Sequence, residues 1–141
     1  MNHRIFILSL ASVLMLAGLP GCSVSRNPKL QRFASVTGLK PDKAAYYKEL
    51  HANPWPGVLK TLKECHIQNS SIHLKEIDGK QYLFYYLEYT GDNFDNDMKK
   101  IAADPEIQRW WKETNPCQLP LPEAAAKGKI WTDMEEVFFL P

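Results

Sequence analysis

Ile67-Gln68-Asn69-Ser70-Ser71-Ile72-His73-Leu74-Lys75-Glu76-Ile77, then Asp78-Gly79, then Lys80-Gln81-Tyr82-Leu83-Phe84-Tyr85-Tyr86-Leu87-Glu88-Tyr89-Thr90 is the stretch around which the chain is organised. Two β-prone runs flank an Asp-Gly pair, and both positions of such a loop accept positive φ, so the stretch predicts a hairpin closed by a type I′ turn. Counting outward from the turn pairs Ile77 with Lys80, Lys75 with Tyr82 and His73 with Phe84. Ser70, Ile72 and Leu74 then share the opposite face with Leu83, Tyr85 and Leu87, and that face is expected to meet helices.

On the N-terminal side, Gln31–Leu39 alternates and is closed by Lys40-Pro41, which predicts a first strand. Asp42 is placed to cap a helix through Ala44–His51, and Asn53-Pro54 offers a second cap with Pro at the first helical position. Trp55, Val58, Leu59, Leu62 and Cys65 recur at helical spacing, so the restarted helix lays one face on a core and ends near His66. On the C-terminal side, Phe94, Met98 and Ile101 predict a helix, and Asp104-Pro105 recaps it for Ile107, Trp110 and Trp111. Thr114-Asn115-Pro116 ends that helix, and Met134–Leu140 reads as a terminal strand. The order is β-α-β-β-α-β, so the fold class is α+β and ferredoxin-like, with each helix bent into two pieces. The sheet's outer face carries Tyr82, Phe84 and Tyr86 beside His73 and Lys75, which predicts a homodimer closed sheet to sheet as a dimeric α+β barrel.

The chain has 141 residues, which suits one domain, and its 45% apolar and 23% charged composition predicts a folded core. With 17 basic and 16 acidic residues and no basic cluster, nucleic acid is excluded as a partner. Aromatic residues make up 11% of the chain, an abundance that suits a lined pocket or an interface.

Residues 1–21 run from His3 and Arg4 through an apolar stretch to Leu19-Pro20-Gly21 and read as a signal peptide, too short for a spanning helix. Cys22 after Leu-x-Gly resembles the lipobox of bacterial lipoproteins, from which Pro20 departs. Residues 22–31 are then a lipidated Cys22 and a polar tether, residues 32–141 the folded domain, and the expected location is extracytoplasmic, on a membrane through the lipid anchor alone. In such a compartment Cys65 and Cys117 could pair or stay as buried thiols.

Tyr47 and His51 stand four residues apart, on one helix face, and Trp55 continues that line. Histidine moves protons near neutrality, but the same spacing fits a core tyrosine and a polar helix end. Trp110 and Trp111 diverge by about 100° on a helix, so at least one turns from the main core, toward a sugar ring or toward a dimer seam. No short paired spacing of His and Cys supports a metal, and no glycine-rich phosphate loop or Gly-x-Ser-x-Gly elbow is present.

Tyr47-x-x-x-His51-x-x-x-Trp55-Pro56, Asn69, Trp110-Trp111-Lys112 and the ending Val137-Phe138-Phe139-Leu140-Pro141 together resemble the L-rhamnose mutarotase family, across Arg32 to Pro141. The resemblance implies a small dimeric α+β barrel that exchanges the α and β anomers of L-rhamnose without metal or cofactor. It implies that His51 is the proton donor and that Tyr47, Trp110 and Trp111 contact the sugar. A further family contact is a tyrosine directly after the residue matching Asn69; this chain has Ser70 there, which is expected to contact the sugar in its place. Ring opening of a hemiacetal needs one proton delivered to the ring oxygen and another removed from the anomeric hydroxyl, which suits side chains active near neutral pH; His51 is the expected donor at the ring oxygen, and Tyr47 is expected to hold or orient a hydroxyl. Two other readings stand beside this one: a lipoprotein that binds a sugar without turning it over, and a haem-handling or oxygenase-type protein of the same shape with His51 on iron.

Overall fold

A computed structural model describes residues 30–140. Its elements are β1 (Gln31–Leu39), α1 (Ala44–Ala52), α2 (Pro56–Glu64), β2 (Ile67–Ile77), β3 (Lys80–Tyr89), α3 (Phe94–Ala103), α4 (Pro105–Thr114), β4 (Gln118–Leu119), α5 (Pro122–Ala125) and β5 (Thr132–Met134). The sheet runs β2-β3-β1-β4, with β5 also paired to β1, and every pairing is antiparallel. This is the β-α-β-β-α-β plan read from the sequence, with both helical crossovers in two pieces. The signal peptide expected over residues 1–21 and the lipidation expected at Cys22 lie outside the described residues.

The hairpin has the expected register, with Ile77 opposite Lys80, Lys75 opposite Tyr82 and His73 opposite Phe84. Asp78 at φ 51° and Gly79 at φ 72° supply the two positive-φ positions of the turn. The pairing shifts between Gln68 and Ser71, where Asn69 adopts φ 45°, so one extra residue bulges out of β2. The shift reverses the alternation and turns Ile67, 6% exposed, toward the core, whereas unbroken alternation would have placed it with His73.

Three boundaries depart from the sequence reading. Asp42 lies inside a single 3-10 turn, Pro41–Lys43, and Lys43 precedes α1. The second helix starts on Pro56 rather than Pro54, so Asn53 closes α1, its backbone N–H donating to the carbonyls of Glu49 and Leu50. The last strand is Thr132–Met134 and not Met134–Leu140, because the short β4 already takes Gly38 and Leu39 of β1, leaving Ala34–Val36 for β5. Gly38 permits that close pairing: a Cβ there would lie 2.6 Å from the Leu119 carbonyl oxygen. The tail beyond β5 is held by Arg32, whose guanidinium donates twice to Glu136 at 2.6 and 2.9 Å and lies over the Phe139 ring.

Asp104 caps α4 as its sequence predicts, accepting from the backbone N–H groups of Glu106 and Ile107. The core divides into two clusters. One joins Val58, Cys65, Ile67, Leu87, Tyr89, Ile101, Ile107 and Trp110, and the other joins Leu39, Ala44, Tyr47, Leu83 and Cys117. Cys65 and Cys117 are both buried free thiols, one in each cluster, which resolves the pairing left open by the sequence.

Candidate functional site

Helix α1 brings Tyr47 and His51 over the edge of the second core cluster. Their four-residue spacing stacks the rings, with centroids 4.2 Å apart and planes inclined by 28°. Trp110 of α4 sets its ring edge-on to His51 at 5.2 Å, and Trp55 in turn stands edge-on to Trp110 at 5.3 Å. The imidazole is thus held between a phenol and an indole, and Trp55 joins the group through Trp110.

Between α1 and the hairpin lies a cavity of about 300 Å³ lined by Leu39, Tyr47, Lys48, His51, Ala52, Ile72, Leu74 and Leu83. That is the lower end of the range for small-molecule pockets. Its polar groups come from one face of one helix, and most of the remaining wall is aliphatic. The hairpin register placed Ile72, Leu74 and Leu83 on this face; Lys48 carries no sequence signal beyond being next to Tyr47.

The protonation of the pair follows from its contacts. His51 Nδ1 lies 2.9 Å from the Tyr47 backbone carbonyl oxygen, which can only accept, so the hydrogen is on Nδ1. Burial lowers the His51 pKa below its ordinary value, against the weaker opposing pull of that hydrogen bond. The resting ring is therefore neutral, with a bare Nε2 able to take a proton. Burial pushes the Tyr47 phenol up to about 12, so it stays a protonated donor. The Tyr47 hydroxyl accepts a 3.4 Å bond from Nε2 of Gln118, a buried residue in a segment whose sequence reads only as loop.

The other residues singled out from the sequence are placed differently. Trp110 is 7% exposed and backs the imidazole, while Trp111, next in the helix, is 38% exposed and does not line the cavity. Ser70 is exposed at the bulge, its hydroxyl donating to the Tyr85 hydroxyl at 3.3 Å, and it too is outside the cavity lining. Among the described residues no cluster of three or more His, Cys, Asp and Glu side chains could hold a metal ion, and no helix is long and apolar enough to cross a membrane.

A family model described as L-rhamnose mutarotase matches residues 32–140. The L-rhamnose mutarotase of Bacillus subtilis is 33% identical over 112 residues, which are 79% of this chain and 99% of the relative. That of Listeria monocytogenes is 33% identical over 111 residues, with the same coverage of the two chains. The fold matches the crystal structure of an L-rhamnose mutarotase from Formosa agariphila with a TM-score of 0.59 at 24% identity, over 79% of this chain and 99% of that one. These matches correct the expected extracytoplasmic, lipid-anchored location. The mutarotases are covered almost end to end by the domain alone, so the location read from residues 1–31 has no counterpart in them and is withdrawn. A match over the whole domain, by sequence and by fold, has one meaning: the chain belongs to the L-rhamnose mutarotase family.

Proposed function

We propose that this protein is an isomerase that interconverts the α and β anomers of L-rhamnose or a related deoxysugar, using His51 and Tyr47 to open and reclose the ring. The observation that carries this reading is the stacked Tyr47–His51 pair on the wall of the cavity, with the imidazole Nδ1–H committed to a carbonyl. The aliphatic wall of Ile72, Leu74 and Leu83 suits the methyl group of a deoxysugar.

In the proposed cycle the anomeric hydroxyl gives its proton to Nε2 of His51 as the bond from the anomeric carbon to the ring oxygen breaks. The Tyr47 hydroxyl delivers a proton to that ring oxygen. The free aldehyde then turns about its bond to the next carbon. On closure the hydroxyl returns its proton to Tyr47, and the imidazolium returns its own to the carbonyl oxygen, now the anomeric hydroxyl on the other face. No net proton or electron is consumed. This cycle moves the donation to the ring oxygen, expected of His51 from the sequence, to Tyr47, because the Nδ1–H of the imidazole is taken up by a carbonyl. General acid–base help of about 100- to 10,000-fold is within reach of such a pair. Trp110, edge-on to the imidazole, fixes its orientation, and the sugar contacts expected of Trp110, Trp111 and Ser70 are tested by substituting each.

NMR saturation transfer between the anomeric signals of L-rhamnose, with L-fucose as control, tests the reading. Exchange faster than the protein-free rate is expected, and no acceleration with either sugar would leave a binding protein instead. A homodimer closed across the outer sheet face belongs to the same proposal: Val137, Phe138 and Leu140 of the tail are 92%, 79% and 76% exposed in the single chain. A dimeric mass at micromolar protein is expected, and a monomeric mass would refute the dimer.

A further inference from the structure

Gln118 occupies β4 opposite Leu39 of β1 and is 5% exposed. Leu39, the preceding Cys117 and Tyr47 all belong to the second core cluster, so an amide side chain is out of place there. Its Nε2 donates to the Tyr47 hydroxyl at 3.4 Å, while its buried Oε1 has no partner among the described residues. Burying an amide with one half unsatisfied is costly, and a leucine or methionine would fill the same space without that cost. Among the described residues, the one side-chain bond the amide makes is to the phenol.

We propose that Gln118 is a positioning residue for ring opening: its N–H occupies the Tyr47 oxygen and turns the phenolic proton toward the cavity. A phenol hydrogen lies near the ring plane and has two settings. A donor aimed at the oxygen excludes the setting on its own side and leaves the other, and Tyr47 is a residue of the cavity wall. The hydroxyl is then set to donate before a sugar arrives, so no reorientation accompanies the reaction. This inference rests on the reading of Tyr47 as the donor to the ring oxygen.

The test uses the full chain with ¹³Cζ-labelled tyrosine, as wild type, Gln118→Leu, Tyr47→Phe and the double variant. Gln118→Leu should move the Tyr47 ¹³Cζ resonance at neutral pH and lower kcat for anomer exchange about fivefold, the effect of one hydrogen bond, with KM changed less than about twofold. In the Tyr47→Phe background the same substitution should cost nothing further. Should Gln118→Leu fail to fold, Gln118→Met, which keeps the unbranched chain, carries the same readouts. An unmoved Tyr47 resonance, or an equal loss of kcat with and without the phenol, would overturn the proposal. If the wild type exchanges no anomers, the proposed function fails, and the resonance still decides whether Gln118 holds the phenol.

Discussion

Two tyrosine–histidine pairs sit in this small domain, and their surroundings are opposite. Tyr47 and His51 stack at 4.2 Å with a carbonyl and an amide as polar partners, and burial is the main influence on both. Tyr89 and His66 stand edge-on at 6.2 Å around a carboxylate, Asp97, which is 3% exposed. Asp97 accepts from His66 Nδ1 at 2.9 Å, from the Tyr89 hydroxyl at 2.9 Å and from Lys100 Nζ at 2.8 Å. The Tyr89 oxygen in turn accepts from the Asn93 backbone N–H at 2.9 Å. Lys100, then His66 and Tyr89, hold the Asp97 carboxyl down at about 2. The same two residue types thus stand as a stacked pair beside a cavity in one place and, around a carboxylate, as a knot tying α3 to the hairpin in the other. The difference is the carboxylate.

The largest expected effect is on chemistry. His51→Ala should slow anomer exchange about 100-fold with a smaller fall in melting temperature than Asp97→Ala causes, because the one hydrogen bond it removes is local, to the Tyr47 carbonyl. Tyr47→Phe should slow it about tenfold, measured in the same saturation-transfer experiment. Asp97→Ala should do the reverse: a fall in Tm of more than about 8 °C by calorimetry, since Tyr89 loses its buried acceptor, with exchange per folded molecule unchanged. Acid probes the same knot. The folded Asp97 value of about 2 lies below its ordinary 3.8, so its stabilisation is complete above that ordinary value and is lost as pH falls toward 2; Asp97→Ala should flatten this part of a stability-versus-pH curve. The smallest effect is expected at the surface, where Glu136→Gln weakens the clasp on Arg32 and should change Tm by less than about 3 °C.

The contrast also shows what the sequence reveals and what it hides. The hairpin was legible because Asp78-Gly79 can do little else than turn, and the alternation on either side then assigns the faces. The Tyr47–His51 stack was legible because helical spacing alone makes it. The charged knot was not: His66, Tyr89 and Asp97 are brought together by the bulge at Asn69 and the positive φ of His66, neither of which has a local signature. Gln118 was hidden for a similar reason, since a two-residue strand pairing only Gly38 and Leu39 leaves no periodic trace. The terminal strand was misplaced because the apolar run Val137–Leu140 mimics a buried strand, whereas Val137, Phe138 and Leu140 are largely exposed and β5 ends at Met134.

The pH profile of anomer exchange, corrected for the protein-free rate, tests the neutral-pair account most directly. Burial places the His51 pKa below its ordinary 6.5, and the proposed cycle begins with the unprotonated Nε2. Acceleration should therefore be constant above that ordinary value and disappear as pH falls through the depressed one. Acceleration that instead grows as the ring becomes protonated would show that the imidazolium starts the reaction, and would contradict the account.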